Sequence, residues 1–315
     1  MKDGGEDIRH KLVVKTRSLL QSLLTPREQM VQHTWADPGL NAALITGVDV
    51  GLWKLMVKNG VDTPQKVDNL AGPLGMDALL LGRLMRHVCA MGHLEEVGQD
   101  EYKLTNFTKS LSLDVIGDGY VALLGGIGRS PIEFYKFLRD TKWQNPTDAA
   151  HTAMHASYNT DLPNCFEYLR SIGLGPHTNH HIVIRDVKGI SSDIKLMDHD
   201  FLTEQPIKGA RAYFMHSILH DWPDDVCQKI LSRLADAMKP GYSKLLIFEC
   251  VIPRTGAYWE ATAGDILMMT QLSALERTED NWHQLIEGSG LNLKIVKFWK
   301  CGQSDVENLI ECELV

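Results

Sequence analysis

The sequence predicts a two-part α/β protein: a mostly helical winged-helix region, then an open sheet of strands alternating with helices. Three observations predict it. Apolar residues recur at helical spacing through residues 1–112, and a β-hairpin signal follows the third of these helices. From residue 181 onward, short β-rich runs alternate with amphipathic helices and end in a strand pair. A length of 315 residues fits two or three domains. We divide the chain into a helical and winged-helix domain (1–112), a helical connector (113–180) and an α/β domain (181–315).

Residues 13–24 are amphipathic, and their helix stops at Thr25-Pro26 because proline lacks the amide hydrogen that would continue it. Residues 41–58 read as a second helix, with Leu44, Val48, Leu52, Leu55 and Met56 near helical spacing. Residues 77–91 give a third, carrying Leu80, Leu84, Val88 and Met91 on one stripe, with Gly92 as its stop. The runs His93-Leu94-Glu95-Glu96-Val97 and Glu101-Tyr102-Lys103-Leu104 flank Gly98-Gln99-Asp100, a hairpin signal. Helix, turn, helix and β-wing make a winged helix. Between Lys54 and Lys109 seven basic side chains are matched by seven acidic ones, so the module lacks the footprint that nucleic-acid affinity needs. It reads as a dimerisation module, its apolar helices burying against a second copy in an isologous homodimer.

Residues 115–170 are mostly helical. After them, 181–186 and 194–197 are short β-rich runs, and 210–216 is a strand leading to Ser217-Ile218-Leu219-His220-Asp221-Trp222. Residues 223–238 form a helix: proline suits its first turn, Asp224 and Asp225 complement the dipole, and Val226, Ile230, Leu234 and Met238 share a stripe. Lys239-Pro240-Gly241 ends it before a buried strand over 244–251. Thr278 caps a further helix ending near Gly288, and strands at 291–299 and 308–314 close the chain. This alternation indicates an open, mainly parallel sheet, in which ligands sit beyond the carboxyl ends of the strands.

Composition narrows the function classes. Net charge is −8, with 44% hydrophobic and 23% charged residues, as in ordinary globular proteins. The apolar runs are strand-sized, short of the ~20 residues that span a bilayer. Residues 1–10 are polar and unlike a signal peptide. Six cysteines are scattered without metal-type spacing. We expect reduced thiols in a cytoplasmic protein that touches neither membrane nor nucleic acid. His177, His180 and His181, with His151 and His155 four apart in a helical stretch, offer imidazoles without a partner cluster. Polar loop histidines are the simpler reading, and no metal is expected.

Three polar residues fall at the carboxyl ends of strands or in the following loops: His220, Glu249 and Glu276. A histidine beside carboxylates suits general acid–base work, because the acids fix its tautomer and stabilise its protonated form. The plainer alternative, on spacing alone, is that all three merely satisfy loop backbone.

The motifs around them occur in a specific order. Ile218-Leu219-His220-Asp221-Trp222-Pro223-Asp224 is followed by Ala237-Met238-Lys239-Pro240-Gly241 and by Leu246-Ile247-Phe248-Glu249-Cys250-Val251-Ile252-Pro253. Asp265-Ile266-Leu267-Met268-Met269 and Glu276-Arg277-Thr278 come next. This series resembles the C-terminal half of the plant and fungal caffeate-type, class I-like S-adenosylmethionine-dependent O-methyltransferases. Asp198-His199-Asp200-Phe201 is similar to their acidic-Asp-Phe motif, and the winged helix to their dimerisation domain. The resemblance implies a Rossmann-like methyltransferase sheet. It makes His220 the base that deprotonates a substrate hydroxyl, with Glu249 and Glu276 as its flanking acids. Asp200, Phe201 and Trp222 match positions around the cofactor's adenine; His216 stands where the family usually carries lysine or arginine. The substrate pocket would be lined by Asp265, Met268 and Met269, though the two methionines serve equally well as plain core.

One part of the family pattern is not found. Its cofactor motif is a strand ending in an acid, a glycine-rich turn opening a helix, and a second strand whose acid holds the ribose. A βαβ unit takes roughly 30 residues, and only about twenty lie between Ser171 and Ile194. The run Ile182–Ile190 is either a decayed glycine motif, with Lys188 and Ile190 in place of glycines, or the second strand with Asp186 as ribose acid. We prefer the second, in which the sheet lacks its first strand and helix. Gly125-Gly126-Ile127-Gly128 and Gly173-Leu174-Gly175 do not follow strands and do not replace the motif.

The expectation is therefore a methyltransferase-fold enzyme of fungal-type secondary metabolism that no longer binds S-adenosylmethionine. It would catalyse a non-methylating step, a cyclisation, pericyclic reaction or isomerisation, on a polyketide-like small molecule, with His220 as acid/base and no cofactor. The alternative is an O-methyltransferase that uses S-adenosylmethionine through an atypical site. A second alternative is a catalytically dead dimerising subunit.

Overall fold

The computed structural model describes residues 4–174, 194–195, 197–300 and 306–315. The expected strand at 181–186, Asp186, the Lys188 and Ile190 positions and the histidines at 177, 180 and 181 lie outside the described residues. The chain divides into two compact units: residues 1–128 with 169–187, and 129–168 with 188–315. The connector expected at 113–180 is thus no unit of its own. Its Arg129–Asp140 and Ala153–Tyr158 helices pack on each other and on the Trp259–Leu272 helix of the α/β unit, where their apolar faces find cover.

In the first unit the helix Gly4–Leu23 carries Ile8, Leu12, Leu19 and Leu23 exposed along one face. Thr25 caps the next helix through a reciprocal capping box with Glu28. The helix expected at 41–58 is two helices, Asp37–Asp49 and Leu52–Asn59. Gly51 breaks it by adopting φ +78°, and the second segment turns Trp53 and Met56 into the core. Gly47 makes that possible, because a Cβ there would stand 2.6 Å from the Trp53 indole. Asp77 accepts the Leu80 amide to start the Ala78–Ala90 helix. The wing follows as a three-stranded antiparallel sheet, β1 (Gln65–Lys66), β2 (Leu94–Gly98) and β3 (Glu101–Leu104), in the order β1-β3-β2. The winged helix expected from the hairpin signal is present.

The second unit is built on β4 (Ala212–His216), β5 (Lys244–Ile252), β6 (Arg277–Thr278), β7 (Leu293–Lys300) and β8 (Glu307–Leu314). The order is β4-β5-β8-β7, with β6 beside the end of β5. β5 is the inner strand: β4 runs parallel on one side from Ala212↔Lys244 to His216↔Phe248, and β8 antiparallel on the other from Lys244↔Glu313 to Cys250↔Glu307. The expected mainly parallel sheet is mixed among the described strands, since β7 returns into β8 through a connection too short for a parallel crossover. The expected strand at 194–197 is also absent from the described residues there: Ile194 and Met197 are exposed, so no burial offsets the cost of ordering them. Leu245, Ile247 and Ile310 from the sheet pack with Cys227, Ile230 and Leu231 of the Asp224–Ala235 helix and with Trp282 and Leu285 of the Glu279–Ile286 helix. Among the described residues β4 pairs on one side only, and its Phe214 is 62% exposed.

Candidate active site

β4 ends at His216, and Ser217 reverses the chain with φ +52° into the short 3-10 turn Leu219–Asp221. The turn is held from three elements. From β5, Glu249 Oε1 accepts the amides of Ile218 and Leu219, each at 2.8 Å. From β6, Arg277 donates to the carbonyls of Leu219 (2.8 Å) and Trp222 (2.9 Å) and to Asp224 Oδ1 (2.7 Å from Nη2). From the Asp224–Ala235 helix, the Cys227 thiol donates to Leu219 O and Trp222 O. Capping a turn's amides with a carboxylate and its carbonyls with a guanidinium leaves few of its backbone groups unpaired.

His220 is thereby set among acids. Its Nδ1 lies 2.9 Å from Glu276 Oε1 and 3.9 Å from Glu249 Oε2, and its Nε2 lies 3.4 Å from Asp221 Oδ1. The His220 side chain is 18% exposed, Glu276 7% and Glu249 1%. Glu276 is itself anchored, its amide donating to Asp265 Oδ1 at 3.0 Å. Burial alone would pull the imidazolium down, but the Glu276 hydrogen bond and the charges of Asp221, Glu249 and Glu276 overcome it and raise the His220 pKa to about 9. Burial pushes Asp221 up to about 6, against the pull of His220. Glu249 and Asp265 are also raised, chiefly by burial. At neutral pH the imidazole is therefore protonated, a hydrogen-bond and proton donor at Nε2.

The structure brings together the three residues singled out by sequence, and Asp265 with them. Met268 and Met269 are half-buried and share a helical face with Asp265, at i+3 and i+4. Phe201 and Trp222 meet edge to face, ring centroids 6.1 Å apart, while Asp200 is exposed and accepts the Leu202 amide. His216 pairs with Glu307 at 3.1 Å. His155 uses both ring nitrogens locally: Nδ1 accepts from Thr152, and Nε2 donates to Leu162 O. Gly126 is explained by packing, since a Cβ there would lie 2.2 Å from Leu169. Among the described residues no strand of the α/β unit runs into a Gly-x-Gly turn. Two residues escaped the sequence reading. Asp221 adjoins His220 in the chain, but its contact with Nε2 depends on the turn. Arg277 stands in Glu-Arg-Thr, and nothing in the sequence marks it as fully buried.

A sheet of this order, with a histidine caged by acids at its carboxyl edge, fits a Rossmann-like methyltransferase architecture. The comparisons with known proteins agree. Residues 181–292 match the O-methyltransferase domain family. The methyltransferase cfoC of Aspergillus candidus is 30% identical over 98% of this chain and 91% of its own length. The O-methyltransferase mfmE of Annulohypoxylon moriforme is 27% identical over 99% and 92%. Among solved structures, LepI in complex with SAM superposes with a TM-score of 0.87 at 22% identity, covering 98% of this chain and 94% of that one. OxaC in complex with sinefungin and meleagrin does so at 0.83 and 22%, covering 100% and 95%. The chain belongs to the O-methyltransferase family. Its alignment with mfmE runs over 376 positions, 61 more than the chain has residues, so at least that many positions of the alignment have no counterpart here.

Proposed function

We propose that this protein is an enzyme of secondary metabolism that acts on a polyketide-like small molecule without S-adenosylmethionine. It catalyses a non-methylating step, such as a cyclisation or isomerisation, with His220 as the proton donor. The observation that carries the reading is the length deficit against mfmE: 61 positions amount to about two units of the roughly 30 residues that a βαβ segment needs. The short span between Ser171 and Ile194, and the single described partner of β4, support the same loss.

The caged histidine suits such chemistry. Nε2 lends its proton to a substrate oxygen as negative charge develops there and recovers it when the product forms, so no atom is gained or lost. Glu276 and Glu249 favour the protonated ring before the step and draw the proton back after it, which is preorganisation rather than a response to substrate. Met268 and Met269 on the Asp265 face supply adaptable apolar contacts. The exposed apolar face of the Gly4–Leu23 helix supports a homodimer through the first unit.

A second reading is favoured by the relatives, which are named as methyltransferases: an O-methyltransferase whose cofactor contacts include Asp186, Asp200, Phe201 and Trp222. Isothermal titration with S-adenosylmethionine and S-adenosylhomocysteine, up to millimolar ligand, separates the two. No heat of binding is expected; micromolar binding overturns the cofactor-free reading and selects the second.

A further inference from the structure

We infer that His220, Glu249 and Glu276 form a binding site for one first-row divalent cation, which takes the place of the proton on His220 Nδ1. One donor atom from each of the three side chains can be chosen so that all lie within 4.8 Å of one another. Around a single ion with bonds of about 2.1 Å, donors stand roughly 3.0 to 4.2 Å apart. The observed separations from Nδ1, 2.9 Å to Glu276 Oε1 and 3.9 Å to Glu249 Oε2, lie at the lower edge of that range and inside it.

A second observation points the same way. Glu249 Oε2 and Glu276 Oε2 are both buried and have no hydrogen-bond partner among the described residues. Glu249 spends its other oxygen on two backbone amides, and Glu276 spends its own on the imidazole. Two carboxylate oxygens out of reach of water, on side chains 1% and 7% exposed, leave a cost of desolvation that one imidazolium offsets only in part. A divalent cation between them supplies the missing charge and accepts both lone pairs. An imidazole and two carboxylates form a donor set for zinc, cobalt, manganese or iron rather than for calcium, which prefers six to eight oxygens. The imidazole binds through Nδ1 once its proton has passed to solvent, and Nε2 keeps its own. Cation and proton then compete for the trio, and the loaded protein loses its acid–base histidine. The inference rests on the geometry of the trio alone and stands or falls independently of the proposed reaction.

The test is titration of the full-length, chelator-treated protein with Co2+, followed by calorimetry and visible absorption. One Co2+ per chain is expected, with d–d bands of a low-symmetry N/O site. Affinity should fall at least tenfold in Glu276→Gln and in Glu249→Gln. It should be unchanged in His216→Ala and His283→Ala, which remove the histidines of two exposed histidine–glutamate pairs. If either glutamine variant does not fold, paramagnetic shifts in the wild-type protein decide, because the His220 ring protons must move first. No binding at millimolar Co2+, binding indifferent to the glutamates, or shifts centred on His216 or His283 would each overturn the site.

Discussion

Arg277→Met tests the idea that the guanidinium holds the turn that carries His220. Arg277 is 1% exposed, and its donors serve two carbonyls and one carboxylate. Asp224 is 55% exposed, so once freed it is rehydrated, and its pairing accounts for at most about 1 kcal/mol. The larger loss lies at Trp222 O, which keeps the weak Cys227 thiol donor, and at Leu219 O, which keeps that thiol and the Trp222 amide at 3.3 Å; each costs about 1–2 kcal/mol when its strong donor is removed. The guanidinium also lies 5.4 Å over the Trp282 ring, a contact worth roughly 1 kcal/mol. Methionine retains much of the packing, so the sum is about 3–6 kcal/mol, on the order of 10 °C in the midpoint for a unit of this size. Thermal unfolding by circular dichroism reads the stability, and NMR titration of the His220 ring reads the site. Both should move, the ring pKa falling from about 9 toward its ordinary value. A loss under ~1 kcal/mol with the His220 titration unchanged would refute the clamp.

The remaining expectations are briefer. In chelator-treated protein, a His220 pKa raised from 6.5 to about 9 contributes stability that is fully present below pH 6.5 and is lost as pH rises through 9. The contribution is on the order of 3 kcal/mol at its fullest. Glu276→Gln should remove most of it, so the variant's melting temperature should change less than the wild type's between pH 6 and 10; parallel curves would count against the pair. In the first unit, Leu12→Glu combined with Leu19→Glu should shift the protein to monomer in analytical ultracentrifugation, with the His220 titration untouched. An unaltered sedimentation coefficient would place any self-association elsewhere.

Much of the fold was legible because it rests on local signals. Thr25-Pro26 as a helix stop, Thr278 as a helix cap, and the strand pair at the chain end each act within a few residues, and each stands where the sequence placed it. His220, Glu249 and Glu276 were legible for a different reason: spacing alone left all three as plain loop residues, and the order of motifs around them, shared with the O-methyltransferases, singled them out. What the sequence could not carry was long-range pairing. Whether β8 enters beside β5, whether Gly51 splits a helix so that Trp53 reaches the core, and whether residues 129–168 join the α/β unit depend on surfaces distant in the chain.

The sequence by itself determined the winged helix and the strand–helix alternation, because periodicity, capping and proline act over one or two turns, and it marked the three polar residues of the site through the order of family-like motifs around them. Only the tertiary structure decided that the histidine stands within 4 Å of three carboxylates, that Arg277 is buried under its turn, and that two carboxylate oxygens have no hydrogen-bond partner among the described residues. Those facts fix the charge of the site. They arise from 30 to 58 residues of chain separation closed by the sheet, a distance over which no local pattern speaks.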